Sequence, residues 1–469
     1  KVETLQCSSE QPSLEISDKT YTDIVEITSD CQSVKFTKVT INDCFSGSAD
    51  AVLQISCNTF IYDGGSISFQ STTSQDSRLL GILLNQVETT EIKNVNFANC
   101  WSSKFQGSAI HSNGIDSTNK LTIDTCTFTD CGSSSTQDAS SIYSTNQNIM
   151  FLQSKITFNT VQSISGFCIH AVTQLLVDGC QFIKITGNQK SAISYIAPGM
   201  MEMTESIKIQ NSNVKDCSQT GELFSFSLSN CHPQFINIVF ENIQNAFLLF
   251  SILCSFQIYI DNNPIVFDSI RLDQITSSNS YGGVGFYIDI QSLDEIITFE
   301  NCVFTHISST LSSGSLWSVL SFTHELPFTI VNCRFEDCSA PSDFCPIYFS
   351  NTKNIIIEDC TFKNCQSTTE TVSSHSIYLS IANTYVSCRI TNISIEHSAP
   401  TKYKSLFVCD GAPRELIIHN CSFQDKIVIV DDETPSIFSI SGAQTFECVN
   451  CDFIFSSTAQ SNPRAITFQ

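Results

Sequence analysis

One six-residue phrase recurs along almost the whole chain: Cys126-Thr-Phe-Thr-Asp-Cys131, Cys333-Arg-Phe-Glu-Asp-Cys338, Cys360-Thr-Phe-Lys-Asn-Cys365. A phrase that returns at a regular interval turns the fold problem into the identification of one repeating unit. Relaxed to apolar or Cys, any, Phe, any, polar, apolar or Cys, it starts at Val39, Ile67, Val95, Cys126, Ile156, Cys180, Ser212, Ile238, Ile270, Cys302, Cys333, Cys360, Ile393, Cys421 and Cys451. The interval runs from about 24 to about 33 residues, within the range of solenoid repeats. The third position is Phe in most copies and Ile41, Val214, Leu272 or Ile395 in others.

Before each copy lies an apolar stretch that ends near Asn or Asp, as in Leu121-Thr-Ile123, Ile207-Lys-Ile209, Phe328-Thr-Ile330 and Leu416-Ile-Ile418. A period of two marks a strand with one buried face. The Asx residue suits the bend that follows, since it tolerates left-handed dihedrals. After each copy comes a third short strand, such as Ser108-Ala-Ile-His111, Ser140-Ser-Ile-Tyr143, Phe167-Cys-Ile-His170 or His375-Ser-Ile-Tyr378. Three short strands and three bends per repeat describe one coil of an all-β, right-handed parallel β-helix.

One coil cannot bury its apolar face alone, but stacked coils share a core. About fifteen coils at roughly 4.8 Å each give a rod of about 70 Å. Like residues then stack: Phe69, Phe97, Phe128, Phe158 and Phe182 form one expected aromatic run, and Phe304, Phe335 and Phe362 a second. Residues 1–38 read as an N-terminal cap with the first coil, and 39–469 as a continuous solenoid that is left uncapped or continues past Gln469.

The formal net charge of −23 repels phosphate backbones, which argues against nucleic-acid binding. No stretch reaches the roughly 20 apolar residues that span a bilayer. The most apolar segment, 246–260, is interrupted by Ser251, Ser255 and Gln257, and no signal peptide is visible at Lys1, so the chain reads as a mature form or a fragment.

Twenty-three cysteines in an extracellular chain suggest a disulfide framework. The sixth position, however, alternates Cys44, Cys100, Cys131, Cys217, Cys338 and Cys365 with Val161, Ile185, Ile243, Ile275 and Ile307, so sulfur also serves as compact apolar filler. Coil spacing overlaps disulfide Cα separations. The candidate bonds are Cys100 with Cys131, Cys338 with Cys365 and Cys421 with Cys451, while Cys7 and Cys31 would pin the cap. Cys448 and Cys451 alone are a weak metal signal, and no metal site or cofactor motif is assigned.

No catalytic residue is assigned either. The one dense acidic run, Asp431-Asp432-Glu433, follows a strand and precedes Pro435, as a solvated loop would. Gly199-Met200-Met201-Glu202-Met203 groups three of the four methionines in one loop and reads as gap filling or an adaptable contact. On the third strand, the residue after the inward Ile or Phe should face outward. Along the rod this column reads His111, Tyr143, His170, Ser194, Ser225, Leu249, Tyr287, Leu320, Tyr348, Tyr378, Val408 and Ser439. Its ring-bearing members His111, Tyr143, His170, Tyr287, Tyr348 and Tyr378 form a candidate contact stripe for glycan or protein, against the plainer reading that β-propensity favours Tyr on exposed strands. Asn392-Ile-Ser394 and Asn420-Cys-Ser422 are candidate N-glycosylation sites.

Small-Ala-Ile strands (Gly107-Ser-Ala-Ile110, and more loosely Gly64-Gly-Ser-Ile67) accompany Phe-centred phrases (Phe97-Ala-Asn-Cys100, Phe128-Thr-Asp-Cys131). This pairing resembles the polymorphic outer-membrane proteins, and similar repeats occur in surface proteins of trichomonad-like protists. The resemblance implies a surface-exposed β-helical passenger with an adhesion or host-interaction role, and it supplies no catalytic residues. The leading reading is a non-enzymatic rod, extracellular or on the cell surface, that recognises a glycan or protein of a cell or matrix surface. The alternatives are a carbohydrate-active β-helix enzyme and a structural subunit that associates end to end through open coils.

Overall fold

A computed structural model describes, in its first half, residues 2–8, 10–27, 31–43, 51–70, 79–102, 104–114, 118–133, 140–145, 148–158, 166–171, 174–185, 190–196, 206–218 and 222–229. In its second half it describes 232–246, 248–256, 265–277, 285–290, 296–309, 317–320, 326–340, 344–350, 352–367, 375–381, 386–397, 406–411, 413–425, 436–455 and 464–468. The methionine-rich loop and the 431–433 acidic run lie outside the described residues. The chain divides into two compact units, Lys1–Cys231 and His232–Gln469.

Each unit is a parallel β-solenoid. In the first, Ser13–Ser17 pairs in parallel with the start of Ser33–Asn42, and the ladder continues through Thr59–Ser68, Thr89–Ala98, Lys120–Asp124, Asn148–Leu152, Leu175–Asp178 and Ser206–Lys215. A second ladder holds the phrase itself, through Thr127–Thr129, Lys155–Thr157 and Gln181–Ile183. A third runs from Val2–Leu5 through Leu80–Asn85, Gly107–Asn113 and Ser140–Thr145 to Glu222–Ser229. The second unit repeats the plan, from His232–Ala246 through Ile265–Asp268 and Arg271–Ser277 to Thr445–Val449 and Asp452–Phe455. Its third strands pair as Leu248–Phe256 with Phe286–Ile290 and Trp317–Leu320, and as Phe344–Ser350 through His375–Ile381 to Arg464–Phe468. Among the described residues no helix is long and apolar enough to cross a membrane.

The bends explain the Asx signature. Between first and second strands the left-handed region is occupied by Asn94 (φ 55°), Asn211 (51°), Asn301 (55°), Asn332 (52°), Asp359 (54°), Asn392 (56°), Asn420 (54°) and Asn450 (54°). Asn and Asp enter this region at least cost among residues with a side chain. A second such bend falls at the fifth position of the phrase, at Asn99, Asp130, Asp216, Asp337 and Asn364. Most of these bend residues turn outward, Asp130 being the buried exception at 7% exposure, and the next side chain enters the core.

That next side chain is often Cys, and its thiol does more than fill space. Cys126, Cys180, Cys302, Cys333, Cys360 and Cys421 lie 3.0–3.3 Å from the carbonyl oxygen two residues back, within reach of an S–H donor. Where Ser holds the position the same bond recurs, from Ser154 to the Leu152 carbonyl (2.7 Å) and from Ser212 to that of Gln210 (2.8 Å). The position therefore accepts a compact donor as well as a compact hydrophobe.

Register corrects two of the expected copies. Phe97 pairs with Ile67 in place of Phe69, and Phe128 with Ile156 in place of Phe158. Phe69 and Phe158 stand instead at the bend level, bonded through their amides to the Ala98 and Ile183 carbonyls, and are buried there. The aromatic ladder of the first unit is thus interrupted, with Phe97 and Phe128 stacked at 4.8 Å. In the second unit Phe304, Phe335 and Phe362 stack at 4.9 and 4.6 Å, as their spacing suggests. Strand spacing sets that rise, and burial of each ring contributes up to about 3 kcal/mol.

Cys7 and Cys31 form a disulfide, with Cα atoms 5.0 Å apart. Cys100, Cys131, Cys338, Cys365, Cys421 and Cys451 carry free thiols, contrary to the pairing their spacing suggests. In-register side chains on adjacent parallel strands run side by side, which holds Cβ atoms near the ~4.8 Å strand spacing, whereas a disulfide uses ~3.8 Å.

Candidate functional site

Side chains two apart on a strand share a face, and in-register rungs set equivalent positions in columns. On the second strand of the second unit, the two outward columns read Arg271, Val303, Arg334, Thr361 and Asp273, Thr305, Glu336, Lys363. His306 and Asp337, both at left-handed bends (φ 52° and 53°), flank them. In a chain with only 15% charged residues, this assembly is dense.

Its members are paired in two layers. Asp273 receives Arg271 (3.3 Å), His306 Nδ1 (3.0 Å) and the Thr305 hydroxyl (2.9 Å). Glu336 is bonded by Arg334 on its own strand and by Lys363 Nζ (2.9 Å) from the next rung. His306 Nε2 faces Asp337 at 3.6 Å, and Asn364 Nδ2 donates to the same carboxylate at 3.1 Å. The two central carboxylates are only 16% exposed at the side chain, whereas Arg271, Arg334, His306 and Lys363 are 57%, 56%, 58% and 46% exposed. Largely covered acids thus orient outward-facing donors.

Burial raises the Asp273 carboxyl, but the His306, Thr305 and Arg271 contacts outweigh it, and the net displacement is downward. Lys363 and then Arg334 lower Glu336. Both stay ionised at neutral pH. A glycoside-cleaving pair needs one carboxyl that retains its proton, which neither of these does. Among the described residues no group of three His, Cys, Asp or Glu is placed to hold a metal ion.

The aromatic stripe is placed differently from expectation. His111 is 6% exposed and lies under Phe105 (ring centroids 5.0 Å, edge-on) while it stacks on Tyr143 (5.0 Å, 13°). The segment after Trp101–Ser102 returns over the outer face of this sheet, held by the Ser102 hydroxyl accepting from the Lys104 and Phe105 amides. Phe105 packs there against the small cluster Ala51, Leu80 and Leu83. Burial pushes His111 down to about 4, so it is neutral and Tyr143 is the half-exposed member. Backbone register joins Tyr143 to His170, and Tyr348 to Tyr378. Tyr287 aligns with Ser251 and Ser318, where Leu249 and Leu320 were expected in the column. Leu249 is buried. The side chains of His170, Tyr287, Tyr348 and Tyr378 lie outside the described residues.

Asn392 and Asn420 are exposed, and their amides form a ladder along the bends. Asn392 Nδ2 donates to Asp359 (2.9 Å), Asn420 to Asn392 (3.2 Å) and Asn450 to Asn420 (3.2 Å).

The charged face escapes a linear reading because its members lie a whole repeat apart. A signal was present: the second and fourth positions of the phrase, stacked copy on copy, list Arg271/Asp273, Arg334/Glu336 and Thr361/Lys363.

No family model matches the chain, and no curated protein matches it. Solved structures similar to it include PfbA, a surface adhesin of Streptococcus pneumoniae. One structure of PfbA is 10% identical with a TM-score of 0.24, covering 96% of this chain and 85% of that one. A second is 11% identical with a TM-score of 0.21, covering 98% and 91%. The receptor-binding tailspike of bacteriophage Det7 is 10% identical with a TM-score of 0.16, covering 98% and 75%. Likeness this low carries no argument about function.

Proposed function

We propose that the protein is a non-enzymatic recognition rod, extracellular or on a cell surface, whose second unit binds a surface glycan or protein through the Arg271–Lys363 face. The observation that carries this reading is the layered arrangement of that face. Asp273 and Glu336 lie largely covered and ionised, and they hold two guanidiniums, an ammonium and an imidazole toward solvent. Arginine in such an array recognises acceptor-rich groups with defined geometry. The Cys7–Cys31 bond suits an oxidising compartment. Resemblance to the polymorphic outer-membrane proteins points the same way. Tyr143, with its register partner His170, and the Tyr287, Tyr348 and Tyr378 positions offer a second, aromatic contact. Glycans at Asn392 and Asn420 belong to the same extracellular reading.

The test is binding of the wild type, R271A/R334A/K363A and Y143A/Y348A/Y378A chains to glycan arrays and to immobilised matrix proteins. The charged-face variant should lose at least about tenfold in affinity for the captured ligand, with an unchanged circular dichroism spectrum, as expected for interface arginines. Equal binding by the wild type and the charged-face variant would remove that face from the function.

A further inference from the structure

Among the described free cysteines, the repeat's thiols are buried except at Cys448 and Cys451, which are half-buried. The strand Thr445–Val449 places Cys448 opposite Ile418, and both face inward. The chain then passes Val449 and the left-handed Asn450 (φ 54°), and Cys451 enters the interior on the far side of the bend. At the same bend one or more rungs earlier, Cys302, Cys333, Cys360 and Cys421 are preceded three residues back by Phe299, Ile330, Ile357 and Ile418. Here that apolar residue is a second cysteine. Cys451 is within side-chain bonding reach of Cys448 and also of Cys421 one rung below.

We propose that Cys448 and Cys451 form an oxidisable dithiol, a modification site at which a small disulfide such as oxidised glutathione closes a Cys448–Cys451 bond. The step opens at half-buried Cys451, whose proton passes to solvent as its sulfur attacks one sulfur of oxidised glutathione. That S–S bond breaks and one glutathione thiolate leaves. The Cys448 thiolate then attacks the Cys451 sulfur of the mixed disulfide and releases the second glutathione. Two protein thiols lose two electrons, and oxidised glutathione is reduced to two thiols. Cys448 is the resolving partner because it lies across a bend from Cys451. Cys421 is 2% exposed and stands in register beneath Cys451, side by side with it. Burial holds the Cys448 thiol above the usual range, so the second step, which needs its thiolate, becomes faster as pH rises.

The experiment exposes the full chain to oxidised glutathione at pH 8, traps free thiols by alkylation and maps peptides by mass. The wild type should gain a Cys448–Cys451 disulfide while Cys126, Cys180 and Cys333 are trapped as thiols. C448S should stop as a stable glutathione adduct on Cys451, and C421S should still close the bond. A Cys421–Cys451 bond in the wild type would overturn the assignment. So would an unreacted Cys448–Cys451 pair, or oxidation of Cys126 at the same rate.

Discussion

In the unit spanning Lys1–Cys231, the second strand turns Ser66, Ser68, Asn96, Thr127 and Thr129 outward on three successive rungs, and the columns then carry only Lys155 and Lys215 as charged members. In the unit spanning His232–Gln469, the equivalent columns carry Arg271, Asp273, Arg334, Glu336 and Lys363. The inward residues between them differ far less: Ile67, Phe97 and Phe128 against Leu272, Phe304, Phe335 and Phe362, all buried. Alternation along each strand separates the two tasks. The core column has to match its neighbours above and below in volume, whereas an outward column answers only to solvent and partners. Two stretches of one repeat can therefore share a backbone and present unlike chemistry.

The largest expected effect tests the backbone of the first unit. Gly65 has φ +114°, and a Cβ there would lie 1.8 Å from the Val39 carbonyl oxygen. Because that oxygen belongs to the adjoining rung, it cannot yield without breaking the ladder. Gly65→Ala should destabilise the first unit by more than about 5 kcal/mol. Hydrogen exchange should show protection lost in 33–98 and retained in 326–396. An unchanged protection map would mean that the close approach is not rigid.

Next comes the core. Phe335 is stacked on both sides, by Phe304 and Phe362, whereas the ladder neighbours of Phe128 are Phe97 and Ile156. Phe335→Ala should cost about 3–5 kcal/mol, and more than Phe128→Ala in the first unit. Denaturant midpoints for the two variants would decide it, and equal losses would show that stacking on the second side adds nothing.

The smallest effect contrasts one buried histidine in each unit. Burial pushes both His111 and His397 down to about 4. A histidine neutral in the fold and charged when unfolded stabilises above its unfolded value, and that stability is lost as pH falls from about 6.5 toward 4. Each site should lose about 3 kcal/mol across that window, of which about 2 kcal/mol has gone by pH 5. Urea titrations at pH 7 and pH 5 should show it, and H111F should remove the first unit's share. Flat stability across the window would mean that the rings are protonated in the fold.

The bend chemistry was half legible. Among the described residues Asx before Cys marks a bend, but Phe69, Phe158 and His397 occupy bend levels without a left-handed residue and turn into the core instead. Nothing in a six-residue window distinguishes these from a phrase displaced by two residues, which is why the copies at Ile67 and Ile156 are read out of register. His111 departs from the expected outward column for a related reason. Alternation places it outward, but Phe105, from the preceding bend, lies over it, and a covering segment leaves no periodic trace.

What the sequence by itself determined is the repeating coil: inward Phe, Ile and Cys at a period of two, and Asx at the bends, because these follow from local backbone preference and from burial of one strand face. Only the tertiary structure decided which residues meet across rungs. The Arg271–Lys363 face, the stacked Phe304–Phe335–Phe362 rings, the covered His111 and the placing of Cys448 and Cys451 on either side of one bend all depend on register or on the path of a bend. Such neighbours are separated by a full coil or by a turn of the chain, and their contact is set by the hydrogen-bond ladder that stacks one coil on the next.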